Sequence, residues 1–338
     1  MKNLKPNQPR ADTTLSPVLS SFAASTIGPL TEVGDLSWSH GESEVWRVVS
    51  RQKQAVLKVQ RQARKFRSEL AAYSEWLPRL LPALGAGTKV PELLAARSEH
   101  PRALLLSWEE GDLLEELTLA PEVEAALHER AGRFLRALHE LPVESPESVP
   151  DAVPGSVPDA VPDDVPLAEA YLMRMDTWGQ RASGIVESAV VVGERSEVTA
   201  VMSFLESCTR VPCHRDFTPR NWLVTLPVPL AAGAPEPPLA ENVHTPPNAL
   251  VVIDFEHAKP DLYLTDLQRL WAGMWRQRPD LKRSFMWGYG RDLSAVEERA
   301  LRRLSALWAL STVVWAREHA DAEFEESGWD VLRWLDLV

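Results

Sequence analysis

Several classes of protein are excluded by what this chain lacks. It has two cysteines, Cys208 and Cys213, in 338 residues. That is too few for a disulfide framework or a cysteine-based zinc site, so both read as small buried thiols. No apolar run approaches the ~20 residues of a membrane-spanning helix. The opening segment "MKNLKPNQPRADTTLSPVLSS" holds no apolar stretch long enough for a secretory signal. The expectation is a cytoplasmic protein with no membrane partner, whose residues 1–28 form a flexible tail. Basic charge is also short: 36 Lys and Arg stand against 48 Asp and Glu, a formal net charge of -12. Duplex binding rests on phosphate neutralisation by Lys and Arg, so nucleic acid is not an expected partner. An acidic surface suits a cationic small molecule, though it also serves solubility alone. There is no GxxxxGK[ST], so a P-loop nucleotide site is not indicated.

What remains is an ordinary globular composition, 45% hydrophobic and 25% charged. The length suggests about two domains or lobes. "EVWRVVS" and "QAVLKVQ" read as a β-hairpin joined by polar "RQKQ". In "KFRSELAAYSEWLPRLL", Phe66, Leu70, Tyr73 and Leu77 fall at helical spacing, with Pro78 expected to mark the end. "ALLLSWEEGD" reads as a buried strand turning at Gly111. From Pro121 the pattern is helical, with Leu127, Ala131, Phe134, Leu135 and Leu138 on one face. Residues 142–166 repeat "VPDAVP" and read as a solvated linker or loop insertion, because frequent proline blocks helix and ladder alike. Helical patterns resume over 167–206. Two short strands, "NWLV" and "ALVVIDF", flank a second proline-rich insertion at 226–248. The rest is helical, and Ser294 with Glu297 forms a capping box for a long final helix. The expected class is α+β: a small β-rich N-terminal lobe with one helix (29–111), then a larger, mainly helical C-terminal lobe (112–338) with one hairpin embedded in it.

The residues that carry chemistry surround that hairpin. Asp216 and Asn221 precede or open its first strand, and Asp254 closes the second. Antiparallel pairing brings Asn221 near Asp254 in spite of the insertion. Asp254 follows four apolar residues, and a carboxylate at the end of a buried strand needs a partner. One carboxylate with one amide is an oxygen-only pair that suits Mg²⁺, an ion that usually takes further oxygens from a phosphate. Asp216 would then reach the metal-bound phosphate without ligating the metal. In the first lobe, Lys58 sits inside an apolar strand and Glu69 on the apolar side of a helix. Together they could hold an ammonium against nucleotide phosphates. Taken singly, each is more simply a surface lysine or a snorkelling glutamate. The polar loop "LSWSHGESEVWRV" could cover phosphates with its backbone amides.

These pieces occur in the order loop, strand lysine, helix glutamate, strand with a turn, HxDxxxxN, apolar-Asp-Phe. In that order the chain resembles the aminoglycoside phosphotransferase and choline kinase branch of the protein-kinase-like fold, from about residue 30 onward. "HRDFTPRN" (214–221) matches the catalytic loop and "IDFE" (253–256) the metal-binding motif. The resemblance implies a bilobal kinase fold and an O-phosphotransferase that uses ATP or GTP with Mg²⁺. Its acceptor would be a hydroxyl of a small molecule: an antibiotic such as an aminoglycoside, a nucleoside or peptide antibiotic, or a metabolite such as choline, homoserine or a sugar. Asp216 would orient the acceptor hydroxyl and accept its proton. Asn221 and Asp254 would hold the metal. Lys58, fixed by Glu69, would contact the α and β phosphates, with Ser43 supplying loop contacts. The carbonyl of Ser107 and the amide of Glu109 would pair with the base. His214 would be structural, and Asp266 would brace the catalytic loop through backbone amides. Thr218 stands where protein kinases of this pattern place a lysine, which argues against a protein substrate. Glu256 replaces the glycine of Asp-Phe-Gly, either as a second metal contact or as a structural acceptor. Arg220 steadies either the phosphate or the backbone. The contrasting possibility is a nucleotide-binding, pseudokinase-like module that performs no transfer. The acidic run from Glu318 to Asp330 is the best hint of a wall that binds cations, although a solvated helix face is the commoner origin of such a run.

Overall fold

The computed structural model describes residues 14–37, 43–85, 87–143, 165–225 and 249–338. Residues 38–42 of the loop expected to cover phosphates and nearly all of both proline-rich insertions lie outside the described residues, as do residues 1–13 of the expected tail. The chain runs α1 (Pro17–Ile27), β1 (Leu30–Asp35), β2 (Ser43–Ser50), β3 (Gln54–Gln60), α2 (Ala63–Ala71), α3 (Leu77–Leu80), β4 (Thr88–Lys89), β5 (Leu93–Arg97), β6 (Arg102–Ser107), β7 (Asp112–Leu113) and α4 (Pro121–His139). It continues through α5 (Leu167–Arg181), α6 (Ser188–Thr199), α7 (Met202–Ser207), β8 (Val211–Cys213), β9 (Trp222–Thr225), β10 (Ala249–Val252) and β11 (Lys259–Asp261). The last helices are α8 (Gln268–Ala272), α9 (Pro279–Tyr289), α10 (Ala295–Glu318) and α11 (Ala322–Trp334). Contacts group the chain into two compact units, Met1–Phe134 with Pro219–Ala258, and Leu135–Thr218 with Lys259–Val338.

The first unit is built on a five-stranded sheet of order β1-β2-β3-β6-β5. The expected hairpin is there, with β2 and β3 antiparallel and Val45 opposite Lys58. Alternation along β3 sends Ala55, Leu57 and Val59 to one face and Lys58 and Gln60 to the other. The first face packs on α1 through Leu19, Ala23 and Ile27, with Trp46 and Val48 from β2. This corrects the expectation of a tail over 17–27. Ser16 caps the helix, Pro17 opens it and Gly28 closes it at φ +94°. Those stop and start signals are legible in the sequence, and the Leu19/Ala23/Ile27 spacing buries one stripe. The helix after β3 also differs from expectation. It does not end at Pro78. A π-helical turn (Ala72–Trp76) intervenes, and α3 then carries Pro78 in its first turn. Proline is tolerated there because first-turn N–H groups need no intrahelical partner.

A second sheet, β4-β10-β9-β7, completes the first unit. β10 is buried at all four positions and pairs antiparallel with β9, Val252 opposite Trp222. In the second unit β8 pairs with β11, and the other regular elements among its described residues are helices. α10 begins with the expected capping box of Ser294 and Glu297. It packs against α11, where a Cβ on Gly328 would come within 2.8 Å of a Val313 methyl and 2.9 Å of the Ala309 carbonyl. Only glycine permits that approach. No helix among the described residues is long and apolar enough to cross a membrane.

Candidate active site

Two clusters, one in each unit, gather most of the expected charged residues. The first is centred on Lys58. Its Nζ lies 2.9 Å from Glu69 Oε1, 2.5 Å from Asp254 Oδ1 and 3.1 Å from Glu256 Oε2. The lysine and glutamate that the sequence pairs across eleven positions are therefore one buried ion pair, with the Glu69 side chain fully inaccessible. Two further residues complete the cluster. Gln60, two positions after Lys58 on the same strand face, donates to Glu69 Oε2 at 2.7 Å and to Glu256 Oε2 at 3.1 Å. Lys65, one helical turn before Glu69, donates to Glu256 Oε1 at 2.7 Å. Neither appears among the expected site residues. Strand alternation from Lys58 and the i−4 spacing from Glu69 were the available signals.

Burial works to lower the Lys58 pKa, but the carboxylates of Asp254, Glu69 and Glu256 hold it well above the ordinary lysine value. Burial pushes the Glu69 carboxyl up to about 7 against the pull of Lys58. For Asp254 and Glu256 burial acts upward too, yet Lys58 draws both below the usual carboxylate range, with Lys65 assisting at Glu256. Glu256 is thus engaged by three donors from β3 and α2.

Asn221 and Asp254 do meet at the hairpin. The Ile253 N–H donates to the Asn221 carbonyl at 3.0 Å, so Asp254 follows directly on that rung. Asp254 is left-handed at φ +66°, a backbone state that costs of order 1–3 kcal/mol outside glycine and gathers at functional sites. Its side chain keeps 35% exposure although Lys58 holds one oxygen. A partly accessible carboxylate in a cluster where three carboxylates face two ammonium groups fits a hard divalent cation, and the backbone rung brings buried Asn221 to the same end of the hairpin. Asn221 and Asp254 are the residues that would hold it.

The remaining expected residues of this unit are placed as follows. Ser43 opens β2 opposite Gln60. Ser107 ends β6, and its hydroxyl accepts from the Glu92 N–H at 2.8 Å and donates to Glu109 Oε1 at 2.8 Å. Arg220 lies near Glu115 at 3.5 Å, both about half exposed. Phe255 is fully buried, edge-on to Tyr73 with ring centroids 5.5 Å apart.

The second cluster holds the loop "HRDF". Asp266 accepts the backbone N–H groups of His214, at 3.0 Å, and of Arg215, as the sequence suggested for it. Arg215 is left-handed at φ +65°, and the Asp266 bond anchors that bend. His139 Nε2 lies 3.0 Å from Asp266 Oδ2, and its other nitrogen lies 2.9 Å from the Tyr289 hydroxyl. His214 is fully buried, its Nδ1 3.3 Å from the Asp216 N–H. His139, Cys213 and Asp266 could in principle gather a metal. Burial raises the Cys213 thiol well above its usual value, and Asp266 already accepts several bonds, so the group works as a hydrogen-bond hub. Asp216 itself is bonded by the Arg269 guanidinium of α8, a residue that sequence reasoning missed.

The acidic run of α10 and α11 is largely neutralised. Glu318 pairs with Arg181, Glu325 with Arg317, Glu326 with Arg333 and Asp330 with Arg276. Asp321 caps α11.

Residues 38–232 match the phosphotransferase enzyme family. No curated protein matches the chain. Among solved structures, the GDP and kanamycin complex of APH(2")-IIia is 14% identical over 95% of this chain and 99% of its own, with a TM-score of 0.65. ADP-bound APH(2'')-Ib is 17% identical over 96% and 98%, with a TM-score of 0.60. A thermostable mutant of APH(4)-Ia, in a ternary complex with AMP-PNP and hygromycin B, is 14% identical over 94% and 98%, with a TM-score of 0.62. These likenesses establish the α+β protein-kinase-like fold.

Proposed function

The chain belongs to the phosphotransferase enzyme family and is a small-molecule phosphotransferase; from that premise we propose that it moves the terminal phosphoryl group of ATP or GTP to a hydroxyl of an antibiotic, an aminoglycoside first. The observation that carries the reading is Lys58, held at once by Glu69 at 2.9 Å and Asp254 at 2.5 Å. This ammonium is pinned between an inert buried carboxylate and one that is accessible to a ligand. Structural neighbours bound to GDP with kanamycin, to AMP-PNP with hygromycin B, or to ADP alone support nucleotide use and a hydroxyl-rich acceptor.

The residues divide the work as phosphoryl transfer requires, by positioning and by charge. Lys58 contacts the donor phosphates, and Glu69 with Gln60 keeps it aimed. Ser43 adds contacts from the start of β2. The Ser107 carbonyl and Glu109 amide receive the base edge. Mg²⁺ bound at Asn221 and Asp254 would neutralise charge developing on the phosphates. Asp216, five residues before Asn221 in the chain, orients the acceptor hydroxyl and takes its proton. Asp266 holds the Asp216 loop by its backbone. Glu256, tied to Lys58, Lys65 and Gln60, acts as a structural acceptor. An added phosphate brings up to two negative charges to a group that an antibiotic's target must bind, which is the route to resistance.

A second reading of the acceptor rests on one observation. The acidic run that would receive a polycation is mostly paired with arginine, which favours a less cationic acceptor such as a nucleoside or peptide antibiotic. Purified protein with Mg²⁺ and ATP or GTP, offered all three antibiotic classes and assayed by mass spectrometry, tests both. A phosphorylated product that is absent with Asp216→Ala supports the reading and identifies the acceptor. Nucleotide binding that depends on Lys58 and Asp254, without any product, would return the chain to a binding module.

A further inference from the structure

Asp216 is held by a residue that belongs to none of the expected motifs. The Arg269 Nη1 donates to Asp216 Oδ1, and the two side chains are 21% and 23% exposed. Arg269 stands three residues after Asp266, the acid that takes the backbone N–H groups of His214 and Arg215. The short segment from Asp266 to Arg269 therefore grips one loop twice, the backbone by a carboxylate and the functional side chain by a guanidinium.

The guanidinium is itself supported. Its carbon lies 5.8 Å from the centroid of the Trp308 ring on α10, within range of a cation–π contact. Trp308 packs in turn on an apolar cluster that includes Ala306, Ala309 and Val313. This is a rigid footing on the longest helix of the unit. An aspartate has two side-chain rotors, and left to itself in a partly exposed setting it samples several directions. Charge-assisted bonding to a planar, supported guanidinium removes that freedom. Misplacing a reacting group by about 1 Å can cost about 10²-fold in rate.

We propose that Arg269 is a positioning residue for the phosphoryl transfer, fixing the direction in which the Asp216 carboxylate meets the acceptor hydroxyl. The inference rests on Asp216 being the residue that receives that hydroxyl. It predicts a defect in turnover with nucleotide affinity preserved, because the bond from Arg269 goes to Asp216.

The test uses the full chain with Mg²⁺ and ATP or GTP, with kanamycin as acceptor and hydrolysis by water as a second readout. Arg269→Ala should lower kcat by about 10–100-fold while KM for the nucleotide stays within about twofold. Arg269→Lys should recover part of the loss. Millimolar guanidinium should restore turnover to Arg269→Ala and leave Asp216→Ala unchanged. A variant as fast as the parent, or faster, overturns the proposal and makes the pair a mask over Asp216. A slow variant that guanidinium does not restore, with a matching fall in thermal midpoint, overturns it in favour of a structural role. If Asp216→Ala keeps full rate, the assignment of Asp216 has failed first. A parent protein that neither hydrolyses the nucleotide nor transfers to an aminoglycoside, nucleoside or peptide antibiotic takes both readings down.

Discussion

The two charged clusters solve different problems by different means. Around Lys58 the chain assembles three carboxylates, two ammonium groups and an amide from segments as much as 196 residues apart. Almost all are buried, so each charge is tolerated only because its partners are present. Around Asp216 the chain instead fixes a backbone. Asp266 captures two N–H groups, His139 backs it with Tyr289 behind, and Arg269 bonds the Asp216 side chain. The first arrangement surrounds an ammonium with carboxylates, and the second fixes a loop backbone and one carboxylate. Removing a member should therefore injure stability and binding in the first cluster, and turnover in the second.

The contrast is broken most sharply at Asp216. Asp216→Ala should lower kcat by about 10²–10⁴ and leave nucleotide affinity near the parent's, as steady-state kinetics and a nucleotide titration would show. Equal losses in both would erase the distinction. Glu69→Ala leaves Lys58 and Gln60 without their buried acceptor, and should cost about 3–5 kcal/mol in urea unfolding. Glu69→Gln, which keeps the hydrogen-bonding shape, should cost less. Asp266→Ala orphans two backbone donors at the catalytic loop, and should cost about 1–3 kcal/mol together with a fall in kcat at unchanged nucleotide affinity.

A pH experiment in the second unit sets the background against which those losses are judged. Burial works to raise the Glu297 carboxyl, but Arg291, Tyr263 and the Ser294 cap hold it down at about 2. A depressed folded-state value stabilises above the unfolded pKa. The stability gap between the parent and Glu297→Gln should be full at pH 7, begin to shrink below about pH 4.5 and vanish near pH 2. A gap that grows on acidification would reverse the sign. The smallest effect belongs to Arg333→Ala, whose partner Glu326 is 68% exposed. It should move stability by no more than about 1 kcal/mol, and even less in high salt.

How much was legible depends on how local the signal is. The β2–β3 hairpin, the helical face of α4 and the cap of α10 follow from alternation, 3.6-residue spacing and a four-residue box, and all are in place. Helix α1 differs from the expected tail: its apolar stripe is short, but Ser16, Pro17 and Gly28 mark its ends. The helix after β3 outlasts Pro78 because the π-turn before it resets the ladder, and no residue pattern announces a π-turn.

The chemistry-bearing residues were legible in the chain alone: an aspartate and an asparagine five residues apart, a strand lysine, a helix glutamate, and an aspartate ending an apolar strand. Those types and their order are covalent facts, and periodicity assigns Lys58 to a strand and Glu69 to the apolar side of a helix. Only the tertiary structure decided which charges share a partner. Lys65 and Gln60 meet Glu256 across 191 and 196 residues, Arg269 reaches Asp216 across 53, and the acids of α10 and α11 find arginines that cancel them. Pairing at such separations is set by packing, since the entropy of closing the loop is met by burial elsewhere in the fold. No local pattern in the chain encodes it.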